Sequence, residues 1–112
     1  MTDKNTGKIP GSEAIKLEKL VEYSPHSIVS REIVKNSSGS LTIFAFDEGQ
    51  GLSEHTAPFD AVVQILDGEA ELVIGGKKVV ARPGETVLMP ANVPHALVAR
   101  ERFKMQLIMI RG

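Results

Sequence analysis

A chain of 112 residues with 42% hydrophobic content can bury one core and is too short for two ordinary domains. Thirteen Lys and Arg against fourteen Asp and Glu leave a formal net charge of −1, which gives no basic footprint for nucleic acid. The absence of cysteine excludes disulfides, thiolate metal sites and Cys nucleophiles, so His, Asp and Glu must carry any chemistry.

Residues 1–12, MTDKNTGKIPGS, are polar, interrupted by Gly and Pro, and read as a flexible leader to a single domain over 13–112. No stretch approaches the ~18 consecutive apolar residues of a membrane span, and the first residues lack the apolar core of a signal peptide. A cytoplasmic protein with no membrane partner is expected. Between Glu13 and Tyr23, the residues Ala14, Ile15, Leu17, Leu20 and Val21 fit either a short helix or a strand followed by a turn.

From Ile28 onward, short apolar runs alternate with turn chemistry. Strands are predicted at Ile28–Val34, Leu41–Phe46, Ala61–Leu66, Glu69–Ile74, Lys77–Ala81, Thr86–Met89, His95–Ala99 and Phe103–Ile110. Asp67-Gly68 and Gly75-Gly76 tolerate the positive φ of two-residue hairpins, which predicts a meander over 61–82. Pro83, Pro90 and Pro94 end strands by removing ladder donors. Ala61-Val62-Val63 and Leu107-Ile108-Met109-Ile110 are apolar at successive positions, so both faces of these strands should be covered. A homodimer is the expected cover; the alternative is a monomer whose terminal segment folds over that face.

Two spaced patterns then stand out. In the first, Gly49, His55 and Gly68 are separated by five and twelve residues, with Ala57 and Ala61 between the last two. In the second, Gly84, Pro90 and His95 follow one another, with Asn92 and Ala99 at the intervening and final places. These resemble the two motifs of the cupin superfamily, over roughly residues 40–110. In that family the first motif reads Gly, His, His, Glu, Gly, and the second Gly, Pro, Gly, His, Asn. The resemblance implies an all-β fold, a single RmlC-like jelly-roll barrel, commonly dimeric, of the small stand-alone bacterial kind. It also implies a divalent metal on three His and one Glu, but here Ala57 and Ala61 replace one His and the Glu, while Asn92 and Ala99 replace the Gly and the Asn.

Strand alternation places His55, Ala57, Phe59, Ala61, Val63 and Ile65 on one face if the strand stays regular through Pro58, and the resemblance turns that face inward. A buried imidazole without a partner costs about 1–3 kcal/mol, so His55 and His95 need a ligand, a metal, water or each other. The expected site is a small-molecule pocket bounded by Phe59, Val63, Ile65 and Met109, with His55 and His95 at its polar end orienting a small carboxylate or enol. One alternative is a two-His metal site for Zn, Fe, Ni or Cu, in a dioxygenase, isomerase or decarboxylase. Another is a structural or regulatory dimeric scaffold in which the histidines only bind water.

The remaining candidates have plainer readings. His26 is an exposed loop residue, and Asp60 reaches the site only if a bulge redirects it. Met89, Met105 and Met109 read as core filling, or else as soft contacts to an apolar ligand. Gln64 faces outward with Val62 and Leu66. No nucleophile triad, phosphate loop or carboxylate pair occurs at a meaningful spacing, so neither reaction nor substrate follows from the sequence.

Overall fold

The computed structural model describes Ile9 and residues 11–111. The expected leader over residues 1–12 lies almost wholly outside the described residues. Among the described residues, nine strands follow a single 3-10 turn at Leu17–Lys19. They are β1 Ile28–Asn36, β2 Gly39–Phe46, β3 Gly51–His55, β4 Asp60–Gly68, β5 Ala70–Ile74, β6 Lys77–Ala81, β7 Thr86–Met89, β8 His95–Val98 and β9 Phe103–Ile110. A five-stranded sheet in the order β1-β2-β9-β4-β7 faces a four-stranded sheet in the order β3-β8-β5-β6. All pairs are antiparallel, and from β2 to β9 the chain repeatedly crosses between the sheets. This is the all-β jelly-roll barrel that the resemblance implies.

The Gly75-Gly76 hairpin forms as its chemistry requires, with both glycines at positive φ (57° and 83°) and Ile74 paired to Lys77. Asp67-Gly68 does not. β4 pairs with β7 and β9, whereas β5 pairs with β6 and β8, so the 61–82 meander is corrected to a crossing between sheets. Gly68 is needed at that corner for two reasons. Its φ is 74°, and a Cβ there would strike the Arg102 carbonyl and lie 2.8 Å from the Phe103 Cα.

The interior is built from the alternating inward residues of both sheets, including Phe46, Val63, Ile65, Leu72, Leu97, Phe103 and Met105. Phe46 and Phe103 stack with centroids 4.6 Å apart. A second, smaller cluster lies on the outside of the five-stranded sheet, where Val21 packs with Ile33, Ile43 and Ala45, flanked by Leu17, Leu20 and Tyr23. The segment ahead of β1 is therefore a strap. Arg31 donates to the Leu20 carbonyl (3.0 Å), Lys104 to the Glu18 carbonyl (2.6 Å) and the Tyr23 hydroxyl to Asp67 (2.6 Å). The Arg102 guanidinium lies 4.5 Å from the Tyr23 ring centre. Burial, then the Asp67 hydrogen bond, raise the Tyr23 pKa well above the usual phenol value.

The strap covers only part of the outer face. A lateral row of register neighbours, Leu88, Val62, Ile108, Leu41 and Val34, crosses all five strands. Its two ends are bare, Leu88 at 54% and Val34 at 50% exposure. Gln64 also faces outward, as expected, and accepts a hydrogen bond from Gln106 (2.8 Å).

Candidate functional site

One end of the barrel is not packed shut. A cavity of about 70 Å³ opens there, lined by His55, His95, Ala57, Ala61, three methionines (Met89, Met105, Met109) and three leucines (Leu52, Leu97, Leu107). Its mouth lies at the end of β3 and the start of β8, and its floor is the inner face of β4, β7 and β9.

His55 and His95 meet as a cross-strand pair between β3 and β8, with ring centroids 4.4 Å apart and planes at 69°. Their meeting depends on an irregularity. Leu52 pairs with Leu97, yet His55, three residues later, pairs with His95, only two residues away. In a regular strand three steps would turn His55 to the face opposite Leu52; the bulge between them returns it to the inward side. The strand itself escaped the sequence reading because Gly51–His55 offers only one apolar residue. The two histidines are not equivalent: His95 is 5% exposed at the inner position, while His55 is exposed at the rim.

Each ring is oriented the same way. Nδ1 of His55 lies 2.8 Å from the Ser53 carbonyl oxygen, and Nδ1 of His95 lies 3.2 Å from that of Val93. A carbonyl oxygen only accepts, so Nδ1 is the donor in each contact. In the neutral ring Nε2 then keeps a lone pair, which is how metal-binding and acceptor imidazoles are commonly prepared. The loops carrying the two motifs are also fastened together, since Asn92 N–H donates to the Ala57 carbonyl (2.8 Å). Asn92 has φ 65°, a left-handed conformation that Asn tolerates better than other non-glycine residues. This explains how it stands where the resembling pattern has Gly.

Of the residues expected to bound the pocket, Met109 joins the two histidines and three others do not. Val63 and Ile65 are 0% and 1% exposed in the packed interior, deeper than the cavity. Phe59 lies outside the cup, in an open cleft with Pro58, Asp60, Ala91, Ile110 and Arg111, where the Arg111 guanidinium sits 5.1 Å from its ring centre. The assumption that failed is a regular strand through Pro58. The chain instead breaks after His55 and changes sheets before Asp60. Asp60 is occupied elsewhere, accepting a hydrogen bond from Ala91 N–H (2.8 Å). His26 is an exposed turn residue whose N–H donates to Asp47 (2.7 Å), and that bond is the main reason the Asp47 carboxyl is held below its usual range.

The divalent site implied by the resemblance does not fit these residues. The methyl groups of Ala57 and Ala61 line the cup where the third imidazole and the carboxylate would stand. Among the described residues, no group of three or more His, Cys, Asp or Glu could hold a metal ion. No helix of the described chain is long and apolar enough to cross a membrane.

Comparison with known proteins agrees with the fold. The Cupin domain family matches residues 42–111. A conserved protein of unknown function from Streptococcus pyogenes superposes with a TM-score of 0.88 at 35% identity, over 93% of this chain and 91% of that one. A cupin 2 conserved barrel domain protein from Leptotrichia buccalis gives 0.84 at 41% identity, over 87% of this chain but 47% of that one. A cupin superfamily protein from Desulfitobacterium hafniense gives 0.87 at 26% identity, over 93% and 95% of the two chains. No curated protein matches the chain. With a matching family domain, a similar barrel in a relative 35% identical and the motif residues at the barrel mouth, the chain belongs to the cupin family.

Proposed function

We propose that this cupin is a small-ligand-binding barrel in which His55 and His95 hold the occupant through two unprotonated Nε2 atoms. One observation carries the reading: both Nδ1 atoms face backbone carbonyls, so in the neutral rings both remaining nitrogens are acceptors beside the same cavity. An occupant must therefore bring a proton to donate or an empty orbital to fill. An enol or another acidic O–H or N–H group meets that demand; a carboxylate meets it only when protonated. The cavity also limits size, because about 70 Å³ holds a few waters or a very small molecule, well below the ~300–1,000 Å³ of ordinary ligand pockets.

The test is a thermal-shift screen of small proton donors and metal ions, with mass analysis of whatever copurifies. His55→Ala/His95→Ala is the control. Stabilisation that vanishes in the double variant is expected. A parent protein that carries nothing and responds to nothing would leave the barrel as a scaffold.

A homodimer is the second part of the proposal, supported by the apolar row from Leu88 to Val34 that the strap leaves half bare. Light scattering should give twice the chain mass, and Leu88→Asp should halve it. A monomeric parent would overturn that part alone.

A further inference from the structure

The methionines of the cup are arranged in a way that core filling does not require. In the large sheet Ala61 pairs with Met89 on one side and with Met109 on the other, so the three form one inward row. Directly paired side chains on one sheet face stand ~5 Å apart. Ala61 is also the position at which the cupin pattern has its carboxylate. Two thioethers therefore flank the place left by the missing charge, and both line the cavity that holds His55 and His95.

We propose that the cup is a binding site for monovalent copper, held by Nε2 of His55 and His95 and the thioether sulfurs of Met89 and Met109. This rests on the reading of the two histidines as binding groups and goes further by naming the ion. The donor set is soft and uncharged, two imidazoles and two thioethers, which is the combination that selects Cu(I) over harder divalent ions.

The surroundings argue the same way. No carboxylate lines the cavity, whose other walls are leucine, alanine and Met105. Desolvation cost grows as the square of charge, so an uncompensated divalent ion costs about four times what a monovalent one does in such a cup. Met89 is 3% exposed, which holds its sulfur in the dry part of the site, while His55 at the rim gives an entering ion its first contact. Nothing is oxidised or reduced in this step; the ion exchanges solvent for four neutral donors.

Anaerobic titration of the whole protein with Cu(I), against a chromophoric Cu(I) chelator, tests the assignment. One ion per chain is expected. Met89→Leu/Met109→Leu, a nearly volume-conserving change, should weaken binding at least tenfold, and His55→Ala/His95→Ala should weaken it more. Zn(II) should bind the parent more weakly than Cu(I). If the leucine variant misfolds, Ag(I) replaces Cu(I) in the unaltered protein and the methionine methyl carbons are followed by NMR. The Met89 and Met109 signals should move, and their standing still would overturn the proposal. A leucine variant that binds Cu(I) as tightly as the parent overturns the copper site while leaving the histidines as binding groups. If the alanine variant also binds undiminished, the reading of the histidines fails with it. Zn(II) binding as tight as Cu(I) overturns the soft-ion assignment.

Discussion

The two ends of the barrel interior are made by the same strands in opposite ways. Along β4 the inward residues grow from Ala61 through Val63 to Ile65, and along β8 and its continuation they run from His95 through Leu97 to Ala99. At the far end Phe46 and Phe103 stack, both fully buried, and nothing comparable occupies the near end. The strap reinforces the closed end from outside, since Tyr23 reaches Asp67 and Arg102 where β4 and β9 turn the corner. A cup thus arises where β4 begins with the small Ala61 and no stacked ring fills the space, and stability and binding are assigned to different stretches of the same strands.

That separation can be broken most forcibly at the closed end. Phe103→Ala should cost about 3–5 kcal/mol in denaturant unfolding, because it removes a stacked ring and leaves a cavity. A loss near zero would mean that the closed end is not where stability resides. At the open end Ala61→Met fills the cup and should cost at most about 1–3 kcal/mol of overpacking, while abolishing any stabilisation by an occupant in thermal-shift assays. Full binding by a stable Ala61→Met protein would show that the cup is not the site.

A smaller effect tests the outside brace. Tyr23→Phe should cost about 1 kcal/mol or less, the usual worth of one partly exposed hydrogen bond. It also has a pH signature. The folded state raises the Tyr23 pKa above the unfolded phenol value of 10.0, so it retains the proton longer than the unfolded chain. The resulting stabilisation is complete below pH 10 and is lost as pH rises beyond it, and Tyr23→Phe should flatten that alkaline decline. The smallest change is expected on the outer face of the small sheet. There Arg100 donates to Glu71 and is the main cause of the lowered Glu71 pKa. Stability from that pair is present above the ordinary carboxylate range and is lost as pH falls through it, so Arg100→Ala should slightly reduce the acid-side slope.

The contrast between the ends also marks how far the sequence is legible. Periodicity with turn residues finds β1, β2 and β4 to β9, because each carries apolar residues and is set off by Gly, Pro, Asn or charged turn residues. It misses β3, whose GLSEH has no alternation to detect, and it misreads Asp67-Gly68, because a tolerance for positive φ does not say whether the chain reverses within a sheet or leaves it. The convergence of His55 and His95 comes from motif spacing rather than from strand parity. Parity carried through Pro58 assigned Phe59, Val63 and Ile65 to the wall; the sheet change after His55 puts Phe59 outside the cup, while Val63 and Ile65 do face inward but in the packed interior below it. The methionines were visible as residue types, but their position on either side of Ala61 depends on a pairing register that no local pattern encodes.

The bulge in β3 makes the site sensitive to strand pairing as well as to residue identity. Were Leu52 to His55 to run as three regular steps, the imidazole would swing into solvent with every residue named in the cup still in place. Related barrels can therefore gain or lose this chemistry through a shift in register alone. A comparison that scores matched letters without regard to strand pairing would group working and silent cups together.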